Sequence, residues 1–181
     1  MKILVASDIH GRTLKAQELV RRLSLENPDR IWLLGDLLYN GPRNGVPSDY
    51  EPMVVARLLL PFMEKTLWIS GNCDSRVDSM VLGKNALLNA KERVFDRDFW
   101  LFHGDPPSYQ SLPFSKSDIL LFGHSHIYEM GYEEHGYFIL NPGSIGFPKG
   151  GHESTYMVLE EGVCTLKRAS DGSAIKQKRL P

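Results

Sequence analysis

Three short apolar runs in the first half of the chain decide most of what it can become. KILVASD (residues 2–8), RIWLLGD (residues 30–36) and TLWISGN (residues 66–72) read as strands of the buried type, apolar with little alternation. Helix-length segments separate them. Residues 13–25 carry Leu14, Leu19, Val20 and Leu23 near helical spacing, and residues 52–65 read as a second helix. Strands joined through helices pair in parallel, so the pattern predicts a parallel βαβαβ core.

The second half changes character. DFWLFHG (residues 98–104) and DILLFGH (residues 118–124) read as strands. They are followed by two hairpin patterns turning at Glu134-His135-Gly136 and at Glu161-Gly162, so antiparallel pairing is expected after the parallel half. Between the second strand and the second helix, residues 39–52 are rich in glycine and proline and read as a long loop of the kind that often carries function. No internal repeat and no linker divides the chain, and 181 residues suit a single domain spanning residues 1–181.

Charge excludes some partners. Lys and Arg total 21 against 22 Asp and Glu, a formal charge of -1, which supports neither a nucleic-acid-binding surface nor attraction to a membrane. An anionic ligand must therefore be held locally. Cys73 and Cys164 form neither a metal-type spacing nor a disulfide framework, which suits a reducing compartment. Asp8 and His10 follow the first apolar run at once, unlike a secretory leader, and the run MVVARLLLPFM is interrupted by Arg57 and Pro61. A cytoplasmic location is the expectation.

What ends each strand points to chemistry. The runs close on Asp8-Ile9-His10-Gly11, Gly35-Asp36, Gly71-Asn72, His103-Gly104 and Gly123-His124-Ser125-His126. In an open parallel sheet the carboxyl ends of the strands share one crevice, so residues far apart in sequence can meet there. Carboxylate oxygen, amide oxygen and imidazole nitrogen together suit first-row divalent metals. Taken singly, each pair is ordinary turn chemistry, and His124 and His126 read equally well as neighbours on alternate faces. Four of the six histidines in line with three acid or amide residues make that reading a poor one for the set.

In this order the series resembles the signature of the calcineurin-like metallophosphoesterase superfamily, from residue 8 to residue 126, with NPGS at residues 141–144 beyond it. GDLLYNGPRN, GNCDS and NPGSIGFPKGG are similar to the small YfcE-type bacterial phosphodiesterases. The resemblance implies an α/β fold of two mixed β-sheets packed as a sandwich and flanked by helices, a four-layer αββα arrangement. It implies a phosphodiesterase that hydrolyses a small phosphodiester with water activated by two divalent metal ions, Mn²⁺ foremost, with Fe, Co, Ni or Zn as alternatives. Asp8, His10 and His126 fall on one metal, Asn72, His103 and His124 on the other, and Asp36 bridges them. Asp36, Asn72, Cys73 and His103 form the implied catalytic set. Relatives of this kind self-associate, so a homo-oligomer is implied too. A phosphomonoesterase of the same fold and a non-catalytic scaffold resembling a retromer subunit are the alternatives. The complete ligand set favours the enzyme.

Many superfamily members have histidine where this chain has Cys73. A thiol, with an ordinary pKa of about 8.5, replaces an imidazolium only in part. Cys73 is best read as a small residue filling a tight turn with some substrate contact, ahead of a further ligand or a nucleophile. Asp74 reads as the N-cap of a short helix over SRVDSMVL. In the long loop Asn40 and Arg43 are candidate substrate contacts, Arg through a bidentate grip on phosphate oxygens. Lys149, Tyr39 and Tyr50 are weaker candidates, equally well read as ordinary loop residues.

Overall fold

The computed structural model describes residues 1–105 and 109–181. Strand β1 (Lys2–Ala6), helix α1 (Thr13–Glu26), β2 (Arg30–Leu33), α2 (Pro52–Leu59) and β3 (Thr66–Trp68) form the expected βαβαβ unit, with β1–β2 and β2–β3 paired in parallel. Side chains alternate faces along each strand. Leu4, Ala6, Ile31 and Leu33 pack under the helices, while Ile3, Val5, Trp32 and Leu34 point the other way into a second cluster. Both faces are covered, which is why these runs are apolar throughout.

The second face meets another sheet. Strands β4 (Asn89–Val94), β5 (Arg97–Phe102), β6 (Ile119–Leu121), β7 (Tyr128–Tyr132) and β8 (Phe138–Pro142) lie in the order β4-β5-β6-β8-β7. The last three strands, β9 (Thr155–Glu160), β10 (Val163–Arg168) and β11 (Ala174–Arg179), return to the first sheet, giving β11-β10-β9-β1-β2-β3. Phe99, Leu101, Ile119, Leu121, Phe138 and Leu140 face Ile3, Val5, Trp32, Met157 and Leu159 across the interior. Two mixed sheets thus pack face to face. Helices α1, α2 and α3 (Arg76–Leu82) all cover the outer face of the first sheet, through Ala16, Leu19 and Leu23, Val55, Ala56 and Leu59, and Leu82. By alternation, Phe102 lies on the outer side of the second sheet, where its ring packs against Phe114 and Phe122 at centroid separations of 5.6 and 5.5 Å.

Several expectations change in detail. Strands β5, β6 and β8 pair in parallel, not antiparallel, because the chain after β5 is long enough to cross over and β7 takes the sheet edge as the hairpin partner of β8. The second helix ends at Leu59 and continues as a 3₁₀ turn, Leu60–Lys65, where Pro61 has no N–H to donate. Strands β4 and β11 had no sequence signal, since NAKERV and AIKQKR are polar edge strands. The β9–β10 turn is as expected: Glu161 and Gly162 both have positive φ, 51° and 74°, which matches the twist of a tight hairpin. Among the described residues no helix is long and apolar enough to cross a membrane.

Candidate metal centre

The first three strands end earlier than their apolar runs, at Ala6, Leu33 and Trp68, and the residues left over turn out of the sheet to build the site. Asp8 and His10 follow β1, Asp36 follows β2, Asn72 follows β3, His103 follows β5, and His124 and His126 follow β6. Five of these seven, Asp8, His10, Asp36, His124 and His126, have positive φ between 51° and 64°. Non-glycine residues hold that conformation only where surrounding structure imposes it, and such residues gather at functional sites. Two glycines make room. A Cβ at Gly123 would overlap Ser7 Oγ and Asp8 Oδ2, and one at Gly71 would overlap the Asp36 carboxylate.

The seven side chains converge on two points. At the first, Asp8 Oδ1 lies 3.2 Å from His126 Nε2 and 3.6 Å from His10 Nε2, and the two imidazole nitrogens are 3.2 Å apart. At the second, Asn72 Oδ1 lies 3.1 Å from His103 Nε2 and 2.8 Å from His124 Nδ1, which are themselves 3.2 Å apart. One oxygen belongs to both points. Asp36 Oδ2 is 3.6 Å from His10 Nε2 and 3.5 Å from His103 Nε2, while Oδ1 is occupied by the backbone N–H of Cys73 at 2.7 Å.

The far side of each ring fixes what faces inward. His10, His103 and His126 use Nδ1 against the backbone carbonyls of Tyr39, Leu34 and Phe147 at 2.9, 2.7 and 2.7 Å. A carbonyl only accepts, so Nδ1 carries the proton and, in the neutral ring, Nε2 presents a lone pair to the centre. Lone pairs then face carboxylate oxygens, an arrangement stable only with a cation or extra protons between them. Asp8 Oδ1, fully buried, has no hydrogen-bond partner among the described residues. The acceptor-lined centre and its orphaned oxygen fit bound divalent cations.

Without a metal, the same groups draw protons. Burial acts against the charged form of His103, but Asp36 and Asp8 beside it outweigh that and raise its pKa to about 9. Burial likewise opposes the charged form of His10, and Asp8 raises its pKa above the ordinary range. Burial would lift Asp8 and Asp36, yet neighbouring imidazoles hold both below the usual carboxylate range: His10 and His126 for Asp8, His103 for Asp36. His124 is shifted down, first by burial and then by the charge of His103. The centre is short of positive charge.

Above it opens a cavity of about 550 Å³ lined by His10, Asp36, Asn72, His124 and His126 together with Tyr39, Arg43, Cys73 and Lys149. Cys73 Sγ, His10 and Asp36 offer atoms within 4.8 Å of one another. Burial and then the Asp36 charge push the Cys73 pKa up to about 12, so in the metal-free site it stands as a neutral thiol and not as a thiolate nucleophile. Asn40 does not line the cavity. Its side chain donates to Gly45 O and its carbonyl accepts from Asn44 Nδ2, so it shapes the loop that carries Arg43. Tyr50 packs against Gly11 and is likewise outside the cavity.

Asp74 is not the helix cap it resembled. Ser75 caps α3 in a reciprocal box with Asp78, and Asp74 turns inward. Its Oδ2 accepts from the N–H groups of Asp36 and Gly71, both at 2.8 Å, and from Trp68 Nε1 at 3.3 Å, while Oδ1 accepts from Leu37 N–H at 2.8 Å. Two further supports had only the NPGS motif as a signal. Asn141 Nδ2 donates to Gly123 O at 2.8 Å, and Ser144 Oγ donates to Asp8 O at 2.8 Å.

A two-sheet sandwich with carboxylates, an amide and four imidazoles gathered at its strand ends has the form of a phosphoesterase. The chain belongs to the calcineurin-like phosphoesterase superfamily, whose domain model matches residues 1–162. It is similar to the phosphodiesterase YfcE of Escherichia coli K12, at 34% identity over 98% of this chain and 97% of the relative. The solved structure of that E. coli phosphoesterase superposes with a TM-score of 0.91 and 31% identity, covering 100% of both chains. Vps29 of Entamoeba histolytica, solved in complex with zinc, shares the fold at a TM-score of 0.59 and 18% identity over 99% of this chain and 98% of that one.

Proposed function

We propose that this chain is a phosphodiesterase that cleaves small phosphodiesters at a two-cation centre, with Mn²⁺ as the working ion and Fe, Co, Ni or Zn as alternatives. The observation that carries this reading is the shared oxygen of Asp36, 3.6 Å from the first imidazole group and 3.5 Å from the second. Asp8, His10 and His126 would hold one cation and Asn72, His103 and His124 the other. Such a pair supplies Lewis-acid charge on the phosphate and a water acidified enough to attack phosphorus.

The protein's own contribution is placement. Backbone carbonyls hold the rings in the tautomer that directs Nε2 inward, and Asp74 fixes the backbone of Asp36. Asn72 adds a neutral oxygen, so only two carboxylates offset the positive charge that must attract a phosphate. Cys73, as a neutral thiol on the cavity wall, cannot stabilise a leaving group by charge, which favours diesters whose alcohol leaves easily. Arg43 is a substrate contact in this reading. A homo-oligomer and a cytoplasmic location are further proposals, open to sedimentation and cell fractionation.

The test uses metal-stripped protein resupplied with Mn²⁺, on bis(p-nitrophenyl) phosphate and p-nitrophenyl phosphate, beside Asp36→Asn. Metal-dependent diester turnover exceeding monoester turnover, abolished in the folded variant, supports the reading. No turnover with any first-row metal by folded protein overturns it, as does binding of a single Mn²⁺ per chain by calorimetry.

A further inference from the structure

The cavity carries more positive charge than a simple diester needs. Among its lining residues the carboxylic acid is Asp36, with Asp8 buried beneath it and the charges of Asp74 and Asp105 reaching Cys73 and His124, while Arg43 and Lys149 contribute two cations from different loops. Lys149 stands apart from the other nine lysines: the side-chain ammonium of each of those has an ion-pair, hydrogen-bond or ring partner, and that of Lys149 has none among the described residues. The Arg43 side chain has none either among the described residues, although the loop around it is tied down through Asn40 and Asn44. Both side chains are exposed at the mouth, on a tethered loop in one case and directly beyond a ligand's support in the other, since Lys149 N–H donates to His126 O at 3.1 Å.

Charge balance turns this into a statement about substrate. On the two-cation reading above, on which this inference rests, the centre holds four positive charges, and Asp8, Asp36, Asp74 and Asp105 offset them, the last two through their charges on Cys73 and His124. Arg43 and Lys149 leave an excess of two at the mouth, against the single negative charge of a phosphodiester. A field of that sign selects ligands with more negative charge, and the cavity, about 550 Å³, is roomy enough for a nucleotide-sized molecule. We propose that the substrate is a phosphodiester that also bears a phosphomonoester, and that Arg43 and Lys149 bind this second phosphate. A phosphomonoester dianion, not a carboxylate, matches the two charges of Arg43 and Lys149. A guanidinium fork and an ammonium donate to its oxygens in complementary ways.

The test compares two esters with the same sugar and the same nitrophenolate leaving group: thymidine 5′-(p-nitrophenyl phosphate) and its 3′-phosphorylated form. With Mn²⁺-loaded protein, kcat/KM is expected to be at least about ten-fold higher for the 3′-phosphorylated ester, mostly through KM. Arg43→Ala and Lys149→Ala should each lower that ratio, and the double variant should bring it near one. Arg57→Ala, which removes an exposed cation on α2, should leave it unchanged. Calorimetry with thymidine 3′,5′-bisphosphate and thymidine 5′-monophosphate at fixed free Mn²⁺ gives a readout independent of turnover, with the same preference expected. A wild-type ratio near one, or a preference that survives the double variant, overturns the inference while leaving the phosphodiesterase reading standing. If neither ester nor bis(p-nitrophenyl) phosphate turns over, that reading fails and calorimetry decides alone: tighter bisphosphate binding lost in the double variant supports the phosphate site, and equal affinities refute it.

Discussion

Replacing Asp74 by alanine tests whether the site is built by its supports as much as by its ligands. The carboxylate accepts four N–H groups, from Asp36, Gly71, Leu37 and Trp68, at 2.8 to 3.3 Å. Each buried donor left unmade costs about 1–3 kcal/mol, and a charged acceptor makes the lost bonds worth more than neutral ones. Asp36 and Leu37 lie in a loop beyond β2, and Asp74 is not fully enclosed, so entering water satisfies some of the donors. The expected net loss is about 3–4 kcal/mol for Asp74→Ala. Asp74→Asn keeps an acceptor for Asp36, Gly71 and Trp68 but sets an amide N–H₂ against Leu37, for a loss of about 1–2 kcal/mol. With a denaturant slope of about 2–3 kcal/mol/M in urea, the alanine variant should unfold at a midpoint about 1–2 M lower. Mn²⁺ affinity should fall by about 10–100-fold, because the displaced backbone is that of Asp36, the residue proposed to bridge two cations. An alanine variant with an unchanged urea midpoint and wild-type Mn²⁺ affinity would refute the reasoning.

Three other outcomes follow from the same structure. The Asp49 carboxylate caps α1 from a distant loop, accepting from Leu14 N–H at 3.3 Å and from Arg12 Nε at 2.6 Å, while its backbone carbonyl accepts from Thr13 N–H at 2.9 Å. Asp49→Ala should therefore cost about 1–2 kcal/mol in urea unfolding, the size of a lost cap. Gly123→Ala should fold yet bind Mn²⁺ at least about ten-fold more weakly by calorimetry, since its methyl group displaces Ser7 and Asp8. Glu26 sits among Tyr156, Lys167 and Lys2; burial alone would raise its pKa, but Lys167 and then Tyr156 hold it below its ordinary value of 4.5. Because the unfolded chain takes up that proton first, the stabilisation is complete above 4.5 and is lost as pH falls through the lower folded value. Unfolding free energy should drop less steeply below that pH in Glu26→Gln than in the wild type.

The sequence by itself determined which groups can meet and roughly where. Apolar runs marked β1, β2 and β3 as strands covered on both faces, and the turn residues at Glu161-Gly162 marked a hairpin, because these signals are local. The seven residues that converge at the site were legible for the same reason: each sits just past an apolar run, where a parallel sheet exposes its strand ends. Tertiary structure decided the rest. Strands β4 and β11 are polar edges with no periodic signal, and the parallel pairing of β5, β6 and β8 depends on a crossover that no short window reveals. Asp74 and Ser75 are adjacent and both chemically suited to cap a helix, and only the neighbouring N–H groups of Asp36, Leu37 and Gly71 draw Asp74 away. Asn40 and Arg43 share one loop, yet one amide is consumed in shaping it and the other side chain faces the cavity. The inward Nε2 lone pairs depend on carbonyls of Leu34, Tyr39 and Phe147, which every sequence possesses and only this fold puts within 2.9 Å of the rings. Side-chain type is written residue by residue, but the direction of a lone pair is set by whichever backbone group the folded chain brings behind it.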